Sequence, residues 1–535
     1  MPSPVRNVIA NWTAFVFSAV VGFVLAPFIV RSLGDSAYGV WVLIGSTVGY
    51  LGLLDLGIRG AVMRYVANLH AGAEHREASH IASAALFMFS VAGAVAITAC
   101  VVVAFGLTRL FTIPAELQNV AQAVVIILGV NIAVALVSGV YGGVITALQR
   151  FDLSGGIGIA TEALRAISVY TALKLGGGIL ALSLVQLSCS VLAGIVSLLL
   201  VRRLYPQLRV PVKGWHRGHV RQLLGYSAYS MLLHVTGMIV VRAYAFVVGA
   251  FMHVGAITVY AIAANLIEYA RALVSGISQT ITPRISALER STSASQLARI
   301  PVTAGRVAGL VMLPVIITFL LRGGTFIGLW MGPEYAEPSG RVLFILAIAL
   351  WFAVGPHIVV ATLMGLHRHR ILVPGAVAEA AANVLLSALL VGRFGLAGVA
   401  SGAAIPNLLV SLVYTPYVLR RTLGVSPTSL LREVWLQPAV AMIPFAAATF
   451  LVDRYWPADG VIEFFLQVAA ALPAAALGAW FLGLTGPERS ALVRRLASRL
   501  QAGRVDGNRT DVPTEAPAML RRRAWKARRR ARVGT

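Results

Sequence analysis

The chain has 535 residues, of which 58% are hydrophobic and only 12% charged, with a mean hydropathy of +0.82. A soluble domain is about a quarter charged, and a chain this long has no way to hide so much apolar surface from water, so a soluble globular protein is excluded and lipid is the solvent that suits it. The formal net charge of +24 would suggest nucleic acid in a soluble protein, but the basic residues gather in loops and at the C-terminal end, as a cytoplasmic membrane face requires.

Near the N-terminus Arg6 precedes a long apolar run with no small-residue cleavage site, which reads as a first span rather than a removed signal peptide. Apolar stretches of about 20 residues, enough to cross a core of roughly 30 Å, then recur along the chain. They predict spans near 8–31, 37–66, 80–107, 119–147, 155–175, 178–202, 223–250 and 256–281. Further spans are expected near 302–321, 338–366, 371–391, 396–420, 436–453 and 460–484. The expected fold class is an all-α polytopic membrane protein of about 14 transmembrane helices. Cys100 and Cys189 both sit in apolar runs, which argues against a disulfide framework or a cysteine metal site.

The loops give a direction. One set carries Arg76, Arg150, the run from Arg202 to Arg221, then Arg284, Arg290, Arg299, Arg368, Arg370, Arg420, Arg421 and Arg432. The other holds only Arg31, Arg109, Lys174, Arg322, Arg393 and Arg454. The Arg-rich side is expected in the cytoplasm, with both termini, in a bacterial inner membrane. The basic loop 202–222 divides the chain into a first six-span lobe, 1–222, and a second, 223–421; spans 13 and 14 follow within 422–485. Segment 249–276 echoes 32–57 in having a short polar turn, an aromatic-bearing span and a charge deep in it. That fits two pseudo-symmetric six-helix lobes plus two extra helices; coincidence between two apolar segments is the alternative. Residues 486–535 are basic and Pro-containing, and read as a disordered cytoplasmic tail able to adhere to anionic lipid or simply to reinforce topology.

The first 70 residues carry a specific pattern: RNVIANW at 6–12, APFIVRSLGDSAYGVWVLIGS at 26–46 and GYLGLLDLGIRGAVMRYVA at 49–67. This block resembles the polysaccharide transporter branch of the large flippase superfamily, which includes O-antigen-type (Wzx-like) flippases, with lipid II flippases and multidrug and toxin extrusion antiporters as relatives. The resemblance implies a V-shaped pair of six-helix lobes around a central cavity. It also implies alternating access that moves an undecaprenyl-diphosphate-linked oligosaccharide to the periplasmic leaflet. Polymerase and glycosyltransferase partners are in keeping with that role; no nucleic acid, cofactor or metal is expected.

Independently of family, charge inside the membrane costs about 2.5–3.5 kcal/mol per residue at the centre of a helix, so such residues should face a cavity or a partner. The candidates are Asp55, Arg59 and Arg64 in span two, Glu162 and Arg165 in span five, and Arg242 in span seven. Glu268 and Arg271 lie in span eight, His357 in span ten and Glu379 in span eleven. Asp55/Arg59, Glu162/Arg165 and Glu268/Arg271 have i,i+4 or i,i+3 spacing, so each acid either neutralises its neighbour or shares a cavity face with it. Arg242 and Glu379 have no local partner. Arg59, Arg165, Arg242 and Arg271 are therefore the candidate cavity cations, since guanidinium forks suit phosphate oxygens. Glu162, Glu268, Glu379 and Asp55 are candidate proton or cation coupling sites. Pro27 is a candidate hinge, and G-x-x-x-G at 45–49, 139–143, 305–309 and 398–402 permits close helix approach.

Two other classes compete. A membrane polymerase or glycosyltransferase usually needs a sizeable external loop with catalytic groups, whereas the longest one expected here, around 322–337, offers only Glu334 and Glu337. A drug or cation antiporter would favour an acidic cavity, whereas these spans hold Arg at least as often as Glu; a lipid II flippase is a third possibility.

Overall fold

The computed structural model describes residues 4–210, 214–224, 228–288, 293–486 and 488–490. Arg290, Lys213 and the basic segment 491–535 lie outside the described residues. Helices account for nearly all that is described, as the bilayer demands: without water in the core, each backbone N–H and C=O has to be satisfied within the segment.

Eleven segments among the described residues are long and apolar enough to cross a membrane by length and composition. Two of them are double-length, and each contains a glycine with a positive φ. Helix α1 (Pro4–Gly49) carries Gly34 at φ 74°, ψ 165°, a conformation open essentially to glycine alone. Before the break, Gly22 lies against the Tyr269 hydroxyl; after it, Gly39 lies against Val254 and Gly49 against Arg242. The chain therefore runs out to Gly34 and back. In α12 (Val373–Leu409) the break is Gly395, at φ 56°, and the two arms fold together, with Gly398 on Leu390 and Gly402 on Ser387. Helix α5 (Phe151–Lys174) is not among the eleven because Glu162 and Arg165 make its centre less apolar. With each double-length segment counted as two crossings and α5 included, the expected spans are all accounted for.

Span two departs from expectation. Residues 37–66 are not one helix: α1 ends at Gly49, a 3₁₀ turn covers Tyr50–Asp55, Leu56 and Gly57 are left-handed, and α2 (Ile58–Ala71) starts afresh. Asp55 and Arg59 flank the break instead of sharing a continuous helical face. The Arg59 backbone N–H donates to Asp55 Oδ1 at 3.2 Å, so the carboxylate caps a helix start that Gly57 has no side chain to cap.

Helices α3 (His75–Leu110), α4 (Ala115–Ala147) and α6 (Gly178–Leu204) pack together, with α2 against α3 and α4 and with α5 joining α1 and α6. After the short α7 (Arg217–Leu224) come α8 (Ala228–Phe251), α9 (Gly255–Leu288), α10 (Ala294–Trp330) and α11 (Pro333–Gly365). Helix α11 packs on α9, α10 and α12, α8 packs on α12, and α1 touches α9 across the two groups. A helix Thr415–Leu423 (α13) and a short one, Pro427–Leu430 (α14), lead through a π turn to α15 (Gln437–Ala441), α16 (Ile443–Tyr455) and α17 (Val461–Gly478). Helices α15, α16 and α17 lie along α10. Outward faces carry exposed Val102, Phe105, Leu385, Leu389 and Leu466, far more apolar surface than a water-soluble fold exposes.

One arginine is differently placed from the sequence reading. Arg322 is not a loop residue: it lies within α10, is 1% exposed and binds Asp453 of α16 and Gln467 of α17. Arg31 bridges the Gly34 turn to the Met331 carbonyl at 3.1 and 3.3 Å. Glu488, at the head of the segment read as a tail, hydrogen-bonds Arg306.

Candidate functional site

Helices α8, α9, α11 and α12 enclose a cavity of about 140 Å³. Its polar lining comes from Arg242 and Tyr244 on α8, Tyr260, Asn265, Glu268 and Arg271 on α9, and Asn383, Ser387 and Asn407 on α12; Leu346, Ala349, Leu350 and Ala353 of α11 make its apolar wall. The i,i+3 step from Glu268 to Arg271 sets both on the cavity face of α9, where Arg271 Nη1 meets Glu268 Oε1 at 3.0 Å. Arg271 Nε is buried with no hydrogen-bond partner. Arg242 lies beside Gly49, where the helix break of span two begins. It is exposed, and no carboxylate pairs with it among the described residues. Tyr244 and Tyr260 stack with centroids 4.4 Å apart.

Glu379 sits just beyond this lining. It accepts a hydrogen bond from Asn407 Nδ2 at 2.8 Å, across the two arms of α12, while Asn407 Oδ1 has no partner. The charge of Arg271 acts on both Glu379 and His357. His357 Nδ1 is 2.8 Å from the Ala353 carbonyl oxygen.

The other candidates are elsewhere. Glu162 and Arg165 form a two-pronged pair on α5, at 3.1 and 2.5 Å, close enough to Tyr269 for both charges to act on its hydroxyl. They stand on the side of α9 reached by Tyr269, outside the cavity lining. Arg59 is 54% exposed, 3.8 Å from Asp55 and against Gly139 of α4. The fold therefore brings Arg242 and Arg271 together and leaves Arg165 and Arg59 apart from them. Dihedrals stay helical through Pro27, and Gly34 is the non-helical residue inside α1.

The sequence reading missed the neutral partners, Tyr244, Tyr260, Asn265, Asn383 and Asn407. Three asparagines in otherwise apolar spans were the available signal, because an amide in lipid needs a partner or a cavity. It also missed Arg306, 3% exposed and clustered with Gln437, Glu433 and Glu488.

The cavity thus offers guanidinium donors, amides and stacked phenols, a set that suits an anionic and hydroxyl-rich ligand. The chain is 22% identical over 425 residues to a putative O-antigen transporter of Shigella flexneri, covering 77% of this chain and 96% of that protein. Its fold is similar to the lipid II flippase MurJ in an inward closed conformation, with TM-score 0.68, 13% identity, and 89% of this chain and 98% of that one covered. It is also similar to an inward-facing multidrug resistance MATE family transporter, with TM-score 0.66, 14% identity, and coverage of 78% and 99%. Residues 5–289 match the family described as polysaccharide biosynthesis protein, and with more than half of its length matched, the chain belongs to that family.

Proposed function

We propose that this protein is a flippase that moves an undecaprenyl-diphosphate-linked oligosaccharide from the cytoplasmic to the periplasmic leaflet by alternating access, for surface polysaccharide synthesis. The observation that carries the reading is Arg242, a cation on a cavity wall with no counter-ion among the described residues. Charge in such a place is retained when a ligand supplies its partner, and a diphosphate supplies two or more negative charges in reach of one fork. Arg271, with its unpartnered Nε, is the second donor. The stacked Tyr244 and Tyr260 and the three asparagines then offer surfaces for the sugar next to the diphosphate.

In this mechanism residues 1–222 and 223–421 act as lobes that rock about the cavity, with both termini in the cytoplasm of a bacterial inner membrane. The contact between α1 and α9 is where they meet. Pro27 and the break around Gly49–Gly57 supply the bending. Glu379, tied to Asn407 and within the field of Arg271, is the best placed of the acidic candidates to couple transport to a proton or cation. Glu162, Glu268 and Asp55 already have an arginine partner. The protein is assigned no catalytic chemistry, and polymerase and glycosyltransferase partners would supply and consume its cargo.

The test is to purify the protein in mild detergent from a host that makes a lipid-linked oligosaccharide, and to identify bound lipid by mass spectrometry. An undecaprenyl diphosphate carrying that host's repeat unit is the expected finding. Recovery of lipid II alone, or of phospholipids with no isoprenoid lipid, would overturn the assignment.

A further inference from the structure

Two i,i+3 pairs face each other where α3 begins. Glu77-x-x-His80 occupies the first turns of α3, and His216-x-x-His219 starts α7, with the His216 carbonyl accepting from His219 N at 3.1 Å and Val220 N at 3.3 Å. That spacing puts both members of a pair on one helical face. The ring centroids of His80, His216 and His219 form a near-equilateral triangle with sides of 5.8, 5.9 and 5.9 Å. Its centre lies about 3.4 Å from each centroid; a histidine that ligates zinc through a bond of about 2.1 Å holds the ion roughly 3.2 Å from its ring centre.

The far nitrogen of two rings is already committed. His80 Nδ1 stands 2.6 Å from the Gly214 carbonyl oxygen. That oxygen only accepts, so Nδ1 carries the proton and Nε2 keeps its lone pair. His219 Nε2 stands 2.8 Å from Glu77 Oε1, which by the same argument leaves Nδ1 as a lone pair, and that Nδ1 is buried with no hydrogen-bond partner. A histidine whose outer nitrogen donates to a backbone carbonyl or a carboxylate is the arrangement that orients metal ligands and raises their basicity. Glu74, His75 and Arg76 complete the surround, but His75 is engaged with the Tyr205 hydroxyl at 2.7 Å.

We propose that His80, His216 and His219 bind one zinc ion through neutral imidazoles, with Glu77 and the Gly214 carbonyl orienting two of them and water as the fourth ligand. As they stand, no three His, Cys, Asp or Glu side chains among the described residues are closed tightly enough to hold an ion. Binding therefore requires the three rings to turn their free nitrogens toward that centre by side-chain rotation. The ion clamps segment 214–224, already held to α3 by the stack of Trp215 on Phe87, and so fixes the connection between the two halves of the chain.

The experiment uses the full-length protein purified without a histidine tag, stripped with chelator, then titrated with zinc by calorimetry and with cobalt(II) by visible absorption. One ion per chain at micromolar affinity or tighter is expected, with a tetrahedral cobalt band. His219→Ala should weaken binding at least tenfold, and Glu77→Gln by about 10–100-fold at the same stoichiometry, while His367→Ala leaves it unchanged. No zinc bound by the wild-type chain at micromolar concentration overturns the site, as does unchanged binding in a monodisperse H216A/H219A double variant. If that variant does not fold, the wild-type cobalt spectrum and the Glu77→Gln affinity decide.

Discussion

Arg322 and Asp453 are 131 residues apart in sequence and 2.7 Å apart in the fold, Nε to Oδ1. The guanidinium also donates to Gln467 at 2.5 Å and lies over the Phe464 ring, 4.6 Å from its centroid. One side chain thus fastens both C-terminal spans, α16 and α17, to α10. Breaking a fully buried pair from one side strands the other charge, at about 3–5 kcal/mol, and removing both is far milder; Asp453 is 32% exposed, so its stranding costs less than that. Arg322→Met should therefore lower the thermal unfolding temperature in detergent, and Arg322→Met with Asp453→Asn should recover most of the loss. Equal unfolding temperatures for the wild type and the single variant would show that the pair does not hold these spans.

The four G-x-x-x-G motifs are not equivalent. A Cβ at Gly402 would run into the Ser387 backbone in the other arm of α12, and at Gly143 it would press on Arg59 and Val62 of α2. At Gly45 it would meet nothing within 4 Å. Overpacking costs about 1–3 kcal/mol, so Gly402→Ala should destabilise by that amount in a chemical unfolding series. Gly45→Ala should match or exceed wild type, because alanine is the better helix former. The reverse ranking would refute the hairpin at Gly395.

Much of this fold was readable because lipid leaves few options: a run of 20 apolar residues has to be a helix, and the count of runs gave the count of spans. The hairpins at Gly34 and Gly395 were legible as loops between spans. The break at Tyr50–Gly57 was not, because its residues, YLGLLDLG, are as apolar as a helix interior and only two glycines mark it. Paired charges at i,i+3 were found as pairs, since that contact is local. Arg306, Arg322 and Asp453 were not, because their partners lie more than 100 residues away and periodicity within one helix carries no information about the next. The same holds for the cavity. Its charges could be named from the sequence, but which arginines share one space depends on how α8, α9 and α12 dock.

Glu488 carries a pH prediction. Burial alone would raise its pKa, but the Thr485 backbone N–H and hydroxyl, both at 2.8 Å, and Arg306 outweigh this and bring it below the usual glutamate range. A folded-state pKa below the unfolded value of about 4.3 contributes stability that is present above that value and lost as pH falls through the folded pKa. Glu488→Gln should unfold at a lower temperature than wild type near pH 6, and the gap should narrow as the pH falls below the unfolded value and the wild-type carboxylate protonates. A gap that widens on acidification would mean the carboxylate is not stabilised by these contacts.

Arg242 separates a transport role from a structural one. It is exposed to the cavity, lies beside Gly49, and has no acid partner among the described residues, so its removal strands no buried charge. Arg242→Gln should keep wild-type expression and unfolding temperature yet abolish complementation of a flippase-deficient strain. Arg242→Lys should recover only part of it, since a point charge lacks the two-pronged fork. Arg271→Gln should also abolish transport, but with some loss of stability, because it strands Glu268 at the end of a 3.0 Å ion pair. The contrast is what matters: a purely structural arginine at 242 would lose stability and transport together. Full complementation by well-expressed Arg242→Gln would remove the cation from the substrate path.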